Sequence, residues 1–173
     1  MVYLFLNHSD LPSRFCMSDC KASPTLFQSG VKLIVDCNNP LVDATLYRQL
    51  VGSLIYLTHS WPDISFAVSM VLRFMQNPHE SHWLATKRIL CYIQGTMFYG
   101  VFYSRKSPVS LLGYKDYDWI GDSSDQRSTT RKIFQLGSGL IFWSTKKLIT
   151  VSLSSHEAKY RVAKEAAKEA VWL

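Results

Sequence analysis

The spacing of apolar residues changes character twice along this chain. Through residue 45 it has no sustained period. Pro12, Pro24, Gly30, Asn38, Asn39 and Pro40 interrupt short apolar pieces, which predicts an irregular N-terminal arm over 1–45 with at most one short strand. From Leu46 the period becomes helical. LYRQLVGSLIYLTHS has helical length and is closed by Pro62; DISFAVSMVLRFMQN is apolar on nearly every side up to Pro78, predicting a mostly buried second helix. HWLATKRILCYIQG sets Trp83, Ile89, Leu90 and Ile93 on one face, directs Lys87 and Arg88 away from it, and ends at Gly95. These three segments predict a small helical subdomain over 46–97.

After Gly100 the period shifts toward two. VFYS (101–104), SLLGYKDYDW (110–119), RKIFQLG (131–137) and LIFWSTKK (140–147) read as β-rich runs, with Gly137-Ser138-Gly139 as a hairpin signal between the last two. SSHEAKYRVAKEAAKEAVWL then reads as an amphipathic helix with Tyr160, Ala163, Ala167 and Ala170 on a small-residue face, opened by an S-x-x-E capping box of Ser154 and Glu157. The expected fold class is α+β, with helices over 46–97 followed by about three strands and one helix over 101–173. Trp83, Trp119 and Trp143 are expected in the cores.

Composition supports folding: 47% hydrophobic and 13% aromatic residues in 173 point to a globular chain. The net charge of +6 sits mainly in the second half, where residues 101–173 carry 12 Lys and Arg against 7 Asp and Glu. That imbalance suits a phosphate backbone and also suits an ordinary solvated surface. Cys16, Cys20, Cys37 and Cys91 lack CxxC spacing and nearby paired histidines, so reduced thiols are expected, with neither a zinc site nor a disulfide scaffold. The N-terminal apolar run lacks a basic flank and a small-residue cleavage site, and no stretch has the length of a membrane span; an intracellular, non-secreted protein with no membrane partner is expected.

Three collinear stretches then narrow the reading: YRQLVGSLIYLTHSWPDISFAVS (47–69), GYKDYDWIGD (113–122) with RST (127–129), and FWSTKK followed by SLSSHEAKYR (152–161). Together with the weaker DCK-x-x-PT element (19–25), they resemble the copia-type retrotransposon Pol polyprotein over residues 15–173. Its usual forms are Y-R-x-L-V-G-S-L-x-Y-L-T-x-x-R-P-D-I, S-D-x-D-W-A-G-D with R-x-S-T-S-G, S-W-S-S-K-K and S-S-A-E-A-E-Y. The resemblance implies that residues up to about 95 correspond to the thumb-like tail of a reverse transcriptase. Residues from about 108 would correspond to an incomplete ribonuclease-H-like sheet. The family's Y-V-D-D polymerase motif occurs nowhere in the chain, so polymerase chemistry is not expected from these residues.

Ribonuclease H chemistry is two-metal phosphodiester hydrolysis, in which clustered carboxylates hold two divalent ions about 3.5–4 Å apart. By the motif match, Asp116 stands where the family has its first catalytic aspartate, and Lys159 stands where the family has the glutamate of A-E-A-E-Y. Glu157 lies two residues from that position and faces elsewhere on the helix. The resemblance therefore implies a vestigial site with Asp116 as its single metal ligand, Lys159 paired to Asp116 in place of the metal charge, and no cofactor where the family would use two Mg²⁺. The family's remaining aspartates would follow beyond residue 173. Other departures are Trp61 for arginine, Lys115 for serine, Tyr117 for a small residue, Ile120 for alanine and Arg131 for glycine. Arg131 would cost about 1 kcal/mol or more if its φ were positive.

The expected function is thus a catalytically inactive Pol remnant with residual, weak RNA or DNA binding through Arg127, Arg131, Lys132, Lys146 and Lys147. A first strand left at the sheet edge, carrying Leu111, Leu112 and Tyr114, would favour self-association. Two alternatives stand beside it: a ribonuclease H completed by a partner chain, and a non-enzymatic, effector-like interaction protein. No R-x-L-R occurs at any of the eight arginines.

Overall fold

The computed structural model describes residues 10–15, 17, 19–28, 30, 33–34, 39–104, 106, 108–118, 129–147 and 155–172. The chain divides between Gly100 and Val101 into two compact units.

The first unit is helical. Within the segment expected as an irregular arm, a short helix α1 (Asp10–Arg14) contributes Leu11 to the core, and the other described residues up to 43 are without helix or extended strand. Helix α2 (Ala44–Leu57) starts two residues before the expected Leu46, because the Asp43 carboxylate accepts hydrogen bonds from the N–H groups of Thr45 (2.7 Å) and Leu46 (3.3 Å). Its buried stripe is Tyr47, Leu50, Val51, Leu54 and Leu57, the helical spacing that removes one face from water.

The second predicted helix is broken into a 3₁₀ turn (Pro62–Ile64), helix α3 (Ser65–Val71) and another 3₁₀ turn (Leu72–Phe74). Tyr47 supplies a reason for the second break: its buried hydroxyl donates to the Val71 carbonyl at 2.7 Å, giving that acceptor a partner outside the helix ladder where α3 ends. One face of this stretch is buried, through Ile64, Ala67, Val68, Val71 and Phe74, whereas Leu72 is exposed.

Helix α4 (Glu80–Thr96) buries His82, Thr86, Ile89, Leu90 and Ile93. Trp83 is half-buried at the margin of that stripe. The two cations expected to point away are both engaged. The Lys87 ammonium lies 5.2 Å from the centre of the Trp83 ring, and Arg88 donates to the Thr25 carbonyl (3.1 Å) and hydroxyl (2.8 Å). The N-terminus of α4 is tied to the preceding coil by Val42 N–H to the Pro78 carbonyl (3.0 Å) and Glu80 N–H to the Pro40 carbonyl (2.9 Å).

The second unit holds a three-stranded antiparallel sheet in the order β1 (Leu111–Asp118), β2 (Thr129–Leu136), β3 (Gly139–Lys147), followed by helix α5 (Ser155–Trp172). Residues 101–104, expected as a strand, form none. The Ser104 N–H donates instead to the Ser138 hydroxyl at 2.6 Å, and the Tyr103 hydroxyl donates to the Leu140 carbonyl. The Tyr103 ring lies where a side chain at 139 would stand, so a Cβ there would have to displace it. Gly137 (φ 58°) takes the left-handed conformation of the β2–β3 turn. A bulge at Ile141 then shifts the β2–β3 register, with Gln135 opposite Leu140 and Phe134 opposite Phe142.

Candidate functional site

Strand alternation decides which side chains of the sheet can meet. β1 and β2 pair in a register that sets Asp116 opposite Arg131, Lys115 opposite Lys132 and Gly113 opposite Phe134. Residues at odd positions of β1 and even positions of β2 therefore share one face. That face carries α5: the Lys132 ammonium binds the Glu169 carboxylate of α5 at 3.1 Å. Beside them Leu111, Gly113, Phe134, Ala167 and Ala170 line a cleft of about 300 Å³. Phe134 is buried there and meets Phe142 of β3 edge-to-face, with ring centres 6.0 Å apart.

Asp116 and Arg131 lie on the opposite face, where the guanidinium stands 3.4 Å from the carboxylate. Arg131 sits in the extended backbone of β2, paired with Thr145 as well as Asp116, so the strain expected of a non-glycine at this position does not arise. This placement also corrects the expected partner of Asp116. Lys159 is exposed on α5, the helix that covers the other side of the sheet, and Arg131 supplies the counter-charge instead.

Of the five residues expected to contact nucleic acid, the four described ones are not gathered into one patch. Arg131 is engaged with Asp116, and Lys132, only 12% exposed, is turned under α5 toward Glu169. Lys146 is exposed and lies on the α5 side by its register with Thr130, whereas Lys147, half-buried and opposite Thr129, belongs to the other side. Arg127, Trp119 and Ser154 lie outside the described residues, so neither the Ser154–Glu157 capping box nor Arg127's role is described. Trp143 is half-buried. Among the described residues, no helix is long and apolar enough to cross a membrane, and no three His, Cys, Asp or Glu side chains converge as metal ligands would.

Sequence reasoning missed a polar centre in the helical unit. His82 is fully buried, stacks on Phe74 with ring centres 3.8 Å apart, and has both ring nitrogens engaged. Nε2–H donates to the Ile34 carbonyl (2.8 Å) while Nδ1 accepts the His79 N–H (3.0 Å), which fixes the neutral tautomer. Burial, with a smaller contribution from nearby His79, holds its pKa below the usual 6.5, despite the opposing hydrogen bond to Ile34. Its appearance on the apolar stripe of α4 was the available signal.

The chain is 40% identical over 164 residues, 95% of its length, to the retrovirus-related Pol polyprotein from transposon RE2 of Arabidopsis thaliana. It is 42% identical over 128 residues to secreted RxLR effector protein 161 of Plasmopara viticola, matching 90% of that protein. The chain belongs to the copia-type retrotransposon Pol family. The Pol polyprotein from transposon TNT 1-94 of Nicotiana tabacum is a further relative, 41% identical over 128 residues, 73% of this chain and 10% of that one. This copia-type segment thus spans about a tenth of the Pol polyproteins it matches, 11% in the case of the RE2 protein. No family model and no solved structure matches it.

Proposed function

We propose that this Pol-family chain is a catalytically silent segment, its sheet unit derived from a ribonuclease-H-like domain and its helical unit from the end of a reverse transcriptase. The antiparallel β1–β2–β3 order followed by α5 is consistent with that origin. The observation that carries the reading is the engagement of Asp116 with Arg131 across β1 and β2, on the face away from α5, while α5 bears Lys159 at the position of the family glutamate.

A two-metal centre requires several anionic oxygens converging on one space, because each ion must be neutralised as it loses water. Here the carboxylate at the first position faces a guanidinium, and the helix position that should supply another anion supplies an ammonium. The donor set does not fit a pair of Mg²⁺ ions, and hydrolysis of an RNA–DNA hybrid is not expected of it.

The test is Mg²⁺-dependent cleavage of a labelled RNA–DNA hybrid by the wild type and by Asp116→Asn. Equal background in both supports the reading, whereas wild-type cleavage abolished by Asp116→Asn overturns it. The same pair of proteins examines nucleic-acid binding. Releasing Arg131 from its carboxylate should tighten hybrid binding and steepen its decline with salt; unchanged affinity would remove Arg131 from the binding surface.

A further inference from the structure

Residues 22–25 of the N-terminal coil lie against α4 through a short series of contacts. Ala22 sits so close to Gly95 that a Cβ added there would be 2.9 Å from the alanine Cβ. The Ser23 N–H donates to the Cys91 carbonyl at 3.1 Å, and Arg88 donates to the Thr25 carbonyl (3.1 Å) and hydroxyl (2.8 Å). The Ser23 hydroxyl donates to that same Thr25 carbonyl at 2.8 Å. Its oxygen and the Arg88 Nε therefore share one acceptor and stand no more than about 6 Å apart. Ser23 is half-buried, while Lys21, Ala22, Pro24 and Thr25 around it are exposed. Pro24 follows Ser23 directly, and the one other Ser-Pro or Thr-Pro step in the chain is Ser107-Pro108. The Ser23 oxygen thus lies in a Ser-Pro step of surface coil, beside a guanidinium already fixed by two hydrogen bonds, the donor fork that matches phosphate oxygens.

We propose that Ser23 is a phosphorylation site for a proline-directed protein kinase, and that Arg88 receives the phosphate and so fastens residues 22–25 to α4. The Ser23 oxygen attacks the γ-phosphorus of ATP. A new O–P bond forms as the bond to the bridging oxygen breaks, ADP leaves, and the hydroxyl proton passes to the kinase's catalytic carboxylate. The Ser23 hydrogen bond to Cys91 opens while the kinase grips the segment and re-forms afterwards. With its proton gone, the Ser23 oxygen no longer donates to the Thr25 carbonyl, but that acceptor keeps the Arg88 Nε as its partner. The added group carries about −1.5 to −2 charges at pH 7, which the Arg88 guanidinium and the neighbouring Lys21 oppose.

The full chain is incubated in its native state with ATP, Mg²⁺ and a purified mitogen-activated protein kinase, and its phosphopeptides are mapped by mass spectrometry. The expected product carries phosphate at Ser23; the label is absent from that peptide in Ser23→Ala and strongly reduced in Pro24→Ala, which keeps the hydroxyl. Phosphorylation should slow amide hydrogen exchange across residues 22–27 about tenfold, an effect that Arg88→Gln removes and added salt weakens. Should Arg88→Gln fail to fold, a phosphorus NMR titration of the phosphorylated wild type replaces it. The second phosphate ionisation should then lie below its usual value of about 6 in the native chain and return to it in urea. The proposal fails if Ser23 stays unmodified, whether or not Ser107 is labelled, or if Pro24→Ala is modified as readily as the wild type. It fails equally if phosphorylation leaves the exchange of residues 22–27 unchanged, if Arg88→Gln keeps the full slowing, or if the native phosphate titrates as it does in urea.

Discussion

Removing the Tyr47 hydroxyl tests the account of why the helical unit folds with a broken second helix. In Tyr47→Phe the ring still fills its fully buried position, so the change isolates the oxygen. The Val71 carbonyl loses its 2.7 Å donor, and the Thr86 hydroxyl loses a hydrogen-bonding neighbour. A buried acceptor left without its donor costs about 1–3 kcal/mol, more than the ~1 kcal/mol net value of an exposed hydrogen bond. A second, independent signature lies in the pH dependence. Burial raises the Tyr47 pKa from 10.0 to about 12, outweighing the hydrogen bond to Thr86. The neutral phenol is thus favoured by the fold. Its contribution is fully present below pH 10 and is lost as pH climbs from 10 toward 12, at about 1.4 kcal/mol per unit, since the unfolded chain ionises first. Tyr47→Phe lacks this titration, so its stability deficit against wild type should be full at pH 8 and smaller by about 1 kcal/mol at pH 11. Urea-dependent hydrogen exchange, read on peptides from residues 44–96, measures the helical unit separately. Equal stability of the two proteins at pH 8, or a deficit that stays constant to pH 11, would refute the role assigned to this hydroxyl.

His82 gives the acid counterpart. Its folded pKa is lowered from 6.5, so its contribution is complete above pH 6.5 and is lost as pH falls below that value; His82→Gln should flatten this acid limb in the same exchange measurement. Gly139→Ala forces a Cβ against the Tyr103 ring and should destabilise the sheet unit by about 1–3 kcal/mol. Pairing it with Tyr103→Ala should recover most of that loss in a double-mutant cycle, and additive losses would contradict the contact. Lys132→Met, which strands Glu169 without its cation, should destabilise the sheet unit more than Lys132→Met with Glu169→Leu, measured by thermal denaturation.

The elements legible in the sequence were those governed by local rules. Helices α2, α4 and α5 announced themselves by periodicity and the β2–β3 hairpin by its glycines, because a helical face or a tight turn is specified within a few residues. What failed depended on partners distant in sequence. The break after Val71 is set by a tyrosine 24 residues away, and Arg88 appeared solvated because nothing local to α4 reveals that Thr25 will lie across it. Runs such as VFYS have strand composition, yet strand formation requires a free edge, and here Ser138 and Leu140 take the polar groups first.

The candidate site fails to be legible for the same reason, in a sharper form. Motif matching singles out Asp116 and Lys159 as positions, but whether two charges meet across a sheet depends on register, and a slip of one residue reverses every side chain. The β1–β2 register is a pairing between two separate strands, and no local pattern in either one specifies it. With Asp116 opposite Arg131, the glycine-to-arginine departure acquires a chemical consequence that the sequence did not expose. It places a permanent cation beside the carboxylate that, on the function proposed above, a metal would need. Restoring glutamate at 159 alone should therefore recover no Mg²⁺-dependent cleavage, since α5 covers the other face and Arg131 remains beside Asp116. Cleavage by Lys159→Glu as a single variant would show that α5 and Asp116 share a face in solution, and the register argument would fall with it.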